Sequence, residues 1–207
     1  MPVVLSKRFM WLKLLVLAIA GSGLLFFFLR SKLAPPQQND LCALFTARPS
    51  WYHSAHASQT HWKVPVSVQM AIMHQESHFR ADVQPGTSWF PFFNHTSSAR
   101  GYAQVLDSTW QSYLSANHLK QADRSNFASA SDFMGWYLHQ LSQQLNIPPT
   151  DAYRLYLAYH EGKTGYRKQH FKQKLWLQRV ASRVSHQAQQ YHQQLVVCSR
   201  SMRQLSS

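Results

Sequence analysis

The chain has 207 residues, of which 45% are hydrophobic and 14% aromatic. This length and composition fit one folded domain with a sizeable core and exclude an intrinsically disordered chain. Lys and Arg number 21 against 8 Asp and Glu, so the formal net charge is +13. Such a balance favours an anionic partner, whether nucleic acid, anionic lipid headgroups or an anionic cell-wall polymer, although a basic solvated surface without a partner also fits it.

The first predicted element is an apolar segment over residues 14–29, which carries no charged side chain. Its length is near the lower limit of about 17 residues for a membrane-spanning helix, so a signal peptide and an anchor both fit. Cleavage at the Ala-Ile-Ala of residues 18–20 would leave the apolar residues 24–29 exposed on the mature chain. We therefore expect an uncleaved transmembrane anchor over residues 1–33, with the N-terminus inside and the folded domain outside.

A polar linker over residues 34–41 precedes the predicted domain over residues 42–198, and residues 199–207 form a tail. The two cysteines, Cys42 and Cys198, lie at the two ends of this domain. In an oxidising compartment they could form one disulfide that ties the ends together, while two unpaired thiols are the alternative. Two cysteines are too few for a structural zinc site.

The sequence of the domain predicts helices throughout, so the predicted fold class is mainly α. The predicted helices cover residues 51–60 with Ser50 as N-cap, 65–76, 107–114 with Asp107 or Ser108 as N-cap, 127–145, and 151–160 with Thr150 as N-cap. A last helix has an apolar stripe at Val180, Val184, Tyr191 and Leu195. Residues 85–100 form an aromatic loop, which could stack on sugars, insert at a membrane surface or pack on the domain.

The chain contains two glutamates, Glu76 and Glu161, each in a polar cluster inside an apolar stretch. On the predicted helix, Val68, Ile72 and Glu76 share one apolar face, so Glu76 should point toward a core or a cleft wall. Desolvation there raises the pKa of a carboxyl group, which suits it to general acid catalysis near neutral pH.

Two other interpretations of Glu76 remain open at this point. Glu76 could form a structural ion pair with Arg80, four residues later on the same helix. It could also bind a metal with His74 and His78, but two histidines without a third convincing ligand are more often solvated or hydrogen-bonded. We predict no metal and no cofactor.

Three polar clusters follow one another along the chain: Gln-Glu-Ser at residues 75–77, Gly-Tyr-Ala-Gln at residues 101–104 and Ala-Tyr-His-Glu-Gly at residues 158–162. In order, spacing and helical setting, residues 51–166 resemble the catalytic domain of the soluble lytic transglycosylase family, the lysozyme-like enzymes of bacterial cell walls. The family pattern is Glu-Ser, then Gly-Leu-Met-Gln, then Ala-Tyr-Asn-Ala-Gly. The resemblance implies a lysozyme-like helical domain.

The resemblance also implies roles for individual residues. Glu76 matches the catalytic acid/base, and the predicted substrate-binding residues are Ser77, Gln104, Tyr159 and Tyr102. Tyr102 stands where the family has leucine, so that wall of the groove differs. His and Glu at residues 160–161 replace Asn and Ala, and no family role is carried over to them.

The implied reaction cleaves the bond between N-acetylmuramic acid and N-acetylglucosamine in peptidoglycan and leaves a 1,6-anhydro end. It needs one glutamate, whereas hydrolysing glycosidases usually need two carboxylates. A muramidase that uses Glu161 or Asp107 as the second carboxylate is the nearest alternative. A non-catalytic cationic module that binds the cell wall or the membrane is the alternative of another class.

The expected partners are peptidoglycan glycan strands and, through the N-terminal helix, the bacterial inner membrane, with the catalytic domain in the periplasm. Nucleic acid is not expected, because a secretion segment would export the chain and no known nucleic-acid-binding motif is present. The sequence does not specify protein partners in the cell envelope.

Overall fold

The computed structural model describes residue 35, residues 37–83 and residues 97–204. The predicted membrane anchor and most of the predicted aromatic loop lie outside the described residues. Among the helices that are described, none combines the length and the apolar character needed to cross a membrane.

The described residues fold mainly into α-helices. The helices are α1 Leu41–Ala47, α2 Pro49–Trp62, α3 Val66–Ser77, α4 Asp107–Ala116, α5 Phe127–Leu145, α6 Ala152–Arg167 and α7 Leu175–Gln204, with a 3-10 helix His170–Gln173 before α7. In these parts of the chain, β pairing is limited to an isolated bridge between Arg100 and Val105. The prediction of a mainly α domain is therefore confirmed for the described residues.

Helix α5 has the bounds that the sequence predicts. The side chain of Asn126 accepts a hydrogen bond from the backbone N–H of Ser129, which caps the first turn. At the other end Asn146 adopts the left-handed conformation with φ 57°, which ends the helix. Both signals are local, so the sequence alone locates them.

Three predicted caps are wrong. Leu106, rather than Asp107 or Ser108, occupies the N-cap position of α4, and no side chain caps that helix. Ser50 lies inside the first turn of α2, because Pro49 already occupies a first-turn position that suits its fixed φ angle. Asp151, rather than Thr150, caps α6, since its carboxylate accepts a hydrogen bond from the N–H of Arg154 at 2.9 Å. A carboxylate at this position also interacts favourably with the helix dipole.

Helix α3 is the central element of the domain. It packs against α2, α5, α6 and α7, and most of its residues are buried. Even its polar Gln69 is buried, where it accepts a hydrogen bond from Ser58 and donates one to the carbonyl of Val64, both at 2.9 Å. Glu76 lies in the last turn of this helix, so the fold itself brings the carboxyl group to the edge of the core.

The ends of the domain are joined by the disulfide between Cys42 on α1 and Cys198 on α7, as predicted. The backbone N–H of Leu41 also donates to the side chain of Gln194 at 2.8 Å, so α1 and α7 are linked by more than one contact. Closing a loop of this length stabilises the fold by roughly 4–5 kcal/mol in the chain-entropy model.

Candidate active site

Glu76 is a partly exposed carboxyl group whose surroundings favour the protonated form. Burial raises its pKa from 4.5 to about 7, because it penalises the charged form more than a hydrogen bond with Tyr156 stabilises it. None of the ion pairs among the described residues includes Glu76. The alternative ion pair with Arg80 is therefore not formed, and Arg80 is exposed.

Tyr156 on α6 lies beside Glu76, and the sequence analysis missed it: an interaction of its hydroxyl with the carboxyl group lowers the pKa of Glu76. Burial, and next the charge of Glu76, raise the pKa of Tyr156, so its hydroxyl keeps its proton and can donate to the carboxylate. The available signal was spacing: Tyr156 precedes Tyr159 by three residues, so the two share a helix face.

Tyr159 links α6 to the second polar cluster. Its hydroxyl donates a hydrogen bond to the backbone carbonyl of Ala103, and its ring meets that of Tyr137 edge-on at 5.4 Å between centroids. Burial raises the pKa of Tyr159 well above its ordinary value, and the charge of Glu76 raises it further. Glu76, Tyr156 and Tyr159 therefore lie at one site.

Residues 101–104 form a tight turn beside this site. Gly101 has φ +77°, and a Cβ atom there would lie 2.3 Å from the carbonyl oxygen of Arg124, so only glycine fits without a rearrangement. The side-chain nitrogen of Gln104 donates to the carbonyls of Val83 at 2.8 Å and Gly101 at 2.9 Å. This amide thus holds the turn in place, while its oxygen accepts no hydrogen bond from the described residues.

Ser77 and Tyr102 are packed inside the domain. Ser77 is 3% exposed, and its hydroxyl donates to the carbonyl of Met73 one turn earlier at 3.2 Å. Tyr102 is 7% exposed and meets the rings of Trp51 and Phe127 edge-on, each at 5.5 Å. Both side chains are therefore mostly inside the domain, and their contacts with substrate stay a prediction.

Glu161 belongs to a separate charged cluster where α6 meets α7. Its side chain is 4% exposed, and its carboxylate lies 2.7 Å from the ammonium of Lys174, 3.1 Å from His160 and 4.0 Å from His170. Burial would raise its pKa, but the hydrogen bonds from Lys174 and His160 outweigh it and lower the pKa. Next to this cluster the helix kinks at Gly162, which has φ +67°.

Asp107, the other predicted second carboxylate, is exposed in the first turn of α4. The side chain of Arg124 donates a hydrogen bond to it, and this bond lowers the pKa of Asp107. Neither Asp107 nor Glu161 is among the groups that shift the pKa of Glu76. The fold therefore brings Glu76 together with Tyr156 and Tyr159. It does not bring Asp107 or Glu161 to Glu76 as a second carboxylate.

The histidines that flank Glu76 in sequence are not arranged around it as metal ligands. His74 stacks on Phe79 with 5.3 Å between ring centroids, and its Nδ1 lies 3.3 Å from the hydroxyl of Tyr191. Burial and the neighbouring His78 lower the pKa of His74 to about 4. In the part of the chain that the structure describes, no group of three or more His, Cys, Asp or Glu side chains could hold a metal ion.

A comparison with protein-family models identifies a family for this chain. The sequence model of the transglycosylase SLT domain family matches residues 10–198, which is most of the chain and includes every residue of the site described above. A comparison with curated proteins found no match.

Proposed function

Because the chain belongs to the transglycosylase SLT domain family of peptidoglycan-acting enzymes, we propose that it is a lytic transglycosylase with Glu76 as its general acid and base. The observation that carries the proposal is the state of Glu76: its pKa is raised to about 7, and no cation among the described residues is paired with it. Near neutral pH such a group is present in both forms, which suits a residue that must first give and then take a proton.

The proposed reaction uses Glu76 twice. As a carboxylic acid it donates its proton to the glycosidic oxygen between N-acetylmuramic acid and N-acetylglucosamine, and the C1–O bond breaks. Positive charge then develops at C1 of the muramic acid, and the new carboxylate of Glu76 faces it. The carboxylate removes the proton from the C6 hydroxyl of the same sugar, and that oxygen bonds to C1. The products are a 1,6-anhydro end and a free N-acetylglucosamine end, and Glu76 is again protonated.

The neighbours of Glu76 support this scheme. Tyr156 donates to the carboxylate and so stabilises it at the moment when it must act as a base. Tyr159 ties residues 101–104 to α6 through its bond to Ala103, and this brings Gln104 to the site. The amide oxygen of Gln104 accepts no hydrogen bond from the described residues, and we propose that it accepts one from the substrate.

The ion pairs of Glu161 and Asp107 favour transglycosylation over a hydrolysis that uses either of them. A hydrolysing glycosidase usually needs a second carboxylate that either activates water or attacks the sugar. Glu161 is bound to Lys174, and Asp107 is bound to Arg124, so each would have to leave a cation to play that part. We therefore propose transglycosylation, in which Glu76 acts as both acid and base.

We propose further that the apolar segment over residues 14–29 anchors the chain in the bacterial inner membrane, with the domain in the periplasm. The sequence of the segment supports the anchor. The disulfide between Cys42 and Cys198 supports an oxidising compartment for the domain.

Mass spectrometry of the muropeptides that the purified full chain releases from peptidoglycan tests the function. We expect 1,6-anhydro ends from the wild type and no release by the Glu76→Gln variant. Reducing ends from the wild type would identify a muramidase instead. Binding to peptidoglycan without any release by the wild type would favour a non-catalytic module.

A further inference from the structure

One flank of α7 has no part in the proposed reaction. The buried stripe of this helix consists of Leu177, Ala181, Val184, Ala188 and Tyr191. Trp176 and Arg183 are seven residues apart, so they project from the same flank, beside this stripe and about 10 Å from each other along the helix axis. Trp176 is 50% exposed, and Arg183 is exposed as well.

This flank runs alongside α6 and toward the site. The ring of Trp176 meets that of His160 edge-on, with 5.2 Å between centroids. Because α6 and α7 are joined by a short connection and pack together, they run in opposite directions. Trp176 lies opposite His160 on α6. Because the helices are antiparallel, Arg183 lies further along α7 in the direction of Tyr156, the neighbour of Glu76.

The charge of Arg183 reaches the site and is not neutralised there. It lowers the pKa of Tyr156, against the larger effects of burial and of Glu76, which raise it. All eight acidic residues of the chain lie within the described residues, and none of them forms an ion pair with Arg183. Arg183 is thus an exposed cation whose charge acts on Tyr156 and which no acidic residue of the chain neutralises, so it is available to an anionic group of a ligand.

We propose that Arg183 binds a carboxylate of the peptide stem of peptidoglycan, so that this chain prefers glycan strands whose stems carry free carboxylates. A guanidinium group binds a carboxylate through two parallel hydrogen bonds, which gives both affinity and orientation. Trp176, two turns away on the same flank, offers an aromatic face to a sugar or to an apolar part of the stem. The inference rests on the proposed function, since it assigns a substrate class to the same site.

Anionic lipid is the other occupant that a basic, tryptophan-bearing flank could attract. The course of the flank favours the substrate, because it starts at Trp176, which contacts His160 on α6, and leads along α6 toward Tyr156 at the site. The test therefore also measures binding to vesicles of anionic phospholipid.

The test measures binding by the full chain with Glu76→Gln, which holds strands without cleaving them. The probes are glycan strands with free-carboxylate stems and the same strands with amidated stems. In this background Arg183→Gln should weaken binding to the free-carboxylate strands about tenfold or more, and leave binding to the amidated strands nearly unchanged. Arg183→Lys should restore part of the loss.

Arg179→Gln is the matched control, because it removes the same charge from an exposed position one turn away on α7. Equal losses in the two glutamine variants, or a loss with Arg183→Gln that is the same on amidated strands, would overturn the inference in favour of diffuse charge. Weaker binding to vesicles of anionic phospholipid, with strand binding unchanged, would overturn it in favour of a lipid surface.

The result is independent of the outcome for the proposed function. The binding experiment uses a variant that does not cleave, so a wild type that forms reducing ends would refute the transglycosylase reaction and leave the role of Arg183 standing. A wild type that forms 1,6-anhydro ends, together with normal strand binding by Arg183→Gln, would refute the role of Arg183 alone.

Discussion

The two glutamates of the chain are both partly buried, and their pKa values move in opposite directions. Glu76 lies at the end of α3, where burial outweighs its bond with Tyr156 and raises its pKa to about 7. Glu161 has a side chain that is 4% exposed, yet the hydrogen bonds of Lys174 and His160 outweigh its burial and lower its pKa. Burial alone therefore does not decide what a carboxyl group does; its partners do.

The opposite pKa shifts suit Glu76 to proton transfer and Glu161 to stabilising the fold. A carboxyl group beside tyrosine hydroxyls can exist in either protonation state near neutral pH. A carboxylate that is bound to an ammonium group stays charged, and it joins the chain segments that carry the two partners. Here Glu161, which directly precedes the kink in α6, joins this helix to Lys174, just before α7.

The largest expected difference between the two glutamates is in activity. Glu76→Gln keeps the shape of the side chain but cannot transfer a proton, so the rate of glycan cleavage should fall by about 10² to 10⁴ or more. Glu161→Gln should still release 1,6-anhydro products at a rate within a few fold of the wild type. Substantial turnover by Glu76→Gln, or a complete loss with a folded Glu161→Gln protein, would reverse the two assignments.

Stability at alkaline pH should distinguish the same two residues with opposite signs. Because the pKa of Glu76 is raised from 4.5 to about 7, the folded state loses stability as the pH rises from 4.5 through 7, and the loss is complete above 7. Glu76→Gln has no charge to bury, so at pH 8 its free energy of unfolding should exceed that of the wild type by about 2–3 kcal/mol. Denaturant unfolding at pH 8 and below pH 4.5 checks this, and the gain should vanish at the lower pH.

Glu161→Gln should instead lower the free energy of unfolding at neutral pH, because Lys174 loses its partner. The expected loss is only about 1–2 kcal/mol, because Lys174 is itself partly exposed. The pKa of Glu161 is lowered on folding. Its contribution is therefore present above 4.5 and is lost as the pH falls through the folded value. An unchanged unfolding curve at neutral pH would show that the ion pair adds nothing to stability.

Tyr156→Phe should give the smallest effect and refine the account of Glu76. The hydroxyl of Tyr156 lowers the pKa of Glu76 against the stronger effect of burial. Without it the pKa should rise, and the limb of the pH–rate profile that reports loss of the acid form should move to higher pH. A profile that does not move would remove Tyr156 from the environment of the carboxyl group.

Much of the fold follows from signals that are local in sequence. The bounds of α5 depend on Asn126 and Asn146, and each acts within one turn of its own position. The apolar face that Glu76 shares with Val68 and Ile72 is likewise set by helix periodicity, and both apolar residues are buried in the structure. A raised pKa for Glu76 could for this reason be expected before the structure was known.

The contacts that distinguish the two glutamates could not be predicted in the same way. Tyr156 meets Glu76 only because α6 packs against α3, and the two residues are far apart in the chain. Lys174 reaches Glu161 across a kink at Gly162 and a 3-10 helix whose geometry no short motif encodes. Ser77 matches the family motif, yet its hydroxyl bonds to the backbone of its own helix, so the motif alone does not indicate where the side chain points.

The most direct measurement is a titration of both glutamates in one sample. Selective ¹³C labelling of glutamate side-chain carboxyl carbons should give two resonances, because Glu76 and Glu161 are the two glutamates of the chain, and each can be assigned from its glutamine variant. The account predicts that the Glu76 resonance titrates near pH 7 and the Glu161 resonance below 4.5. Two resonances that titrate together near 4.5 would contradict it, since neither glutamate would then differ from a solvated carboxyl group.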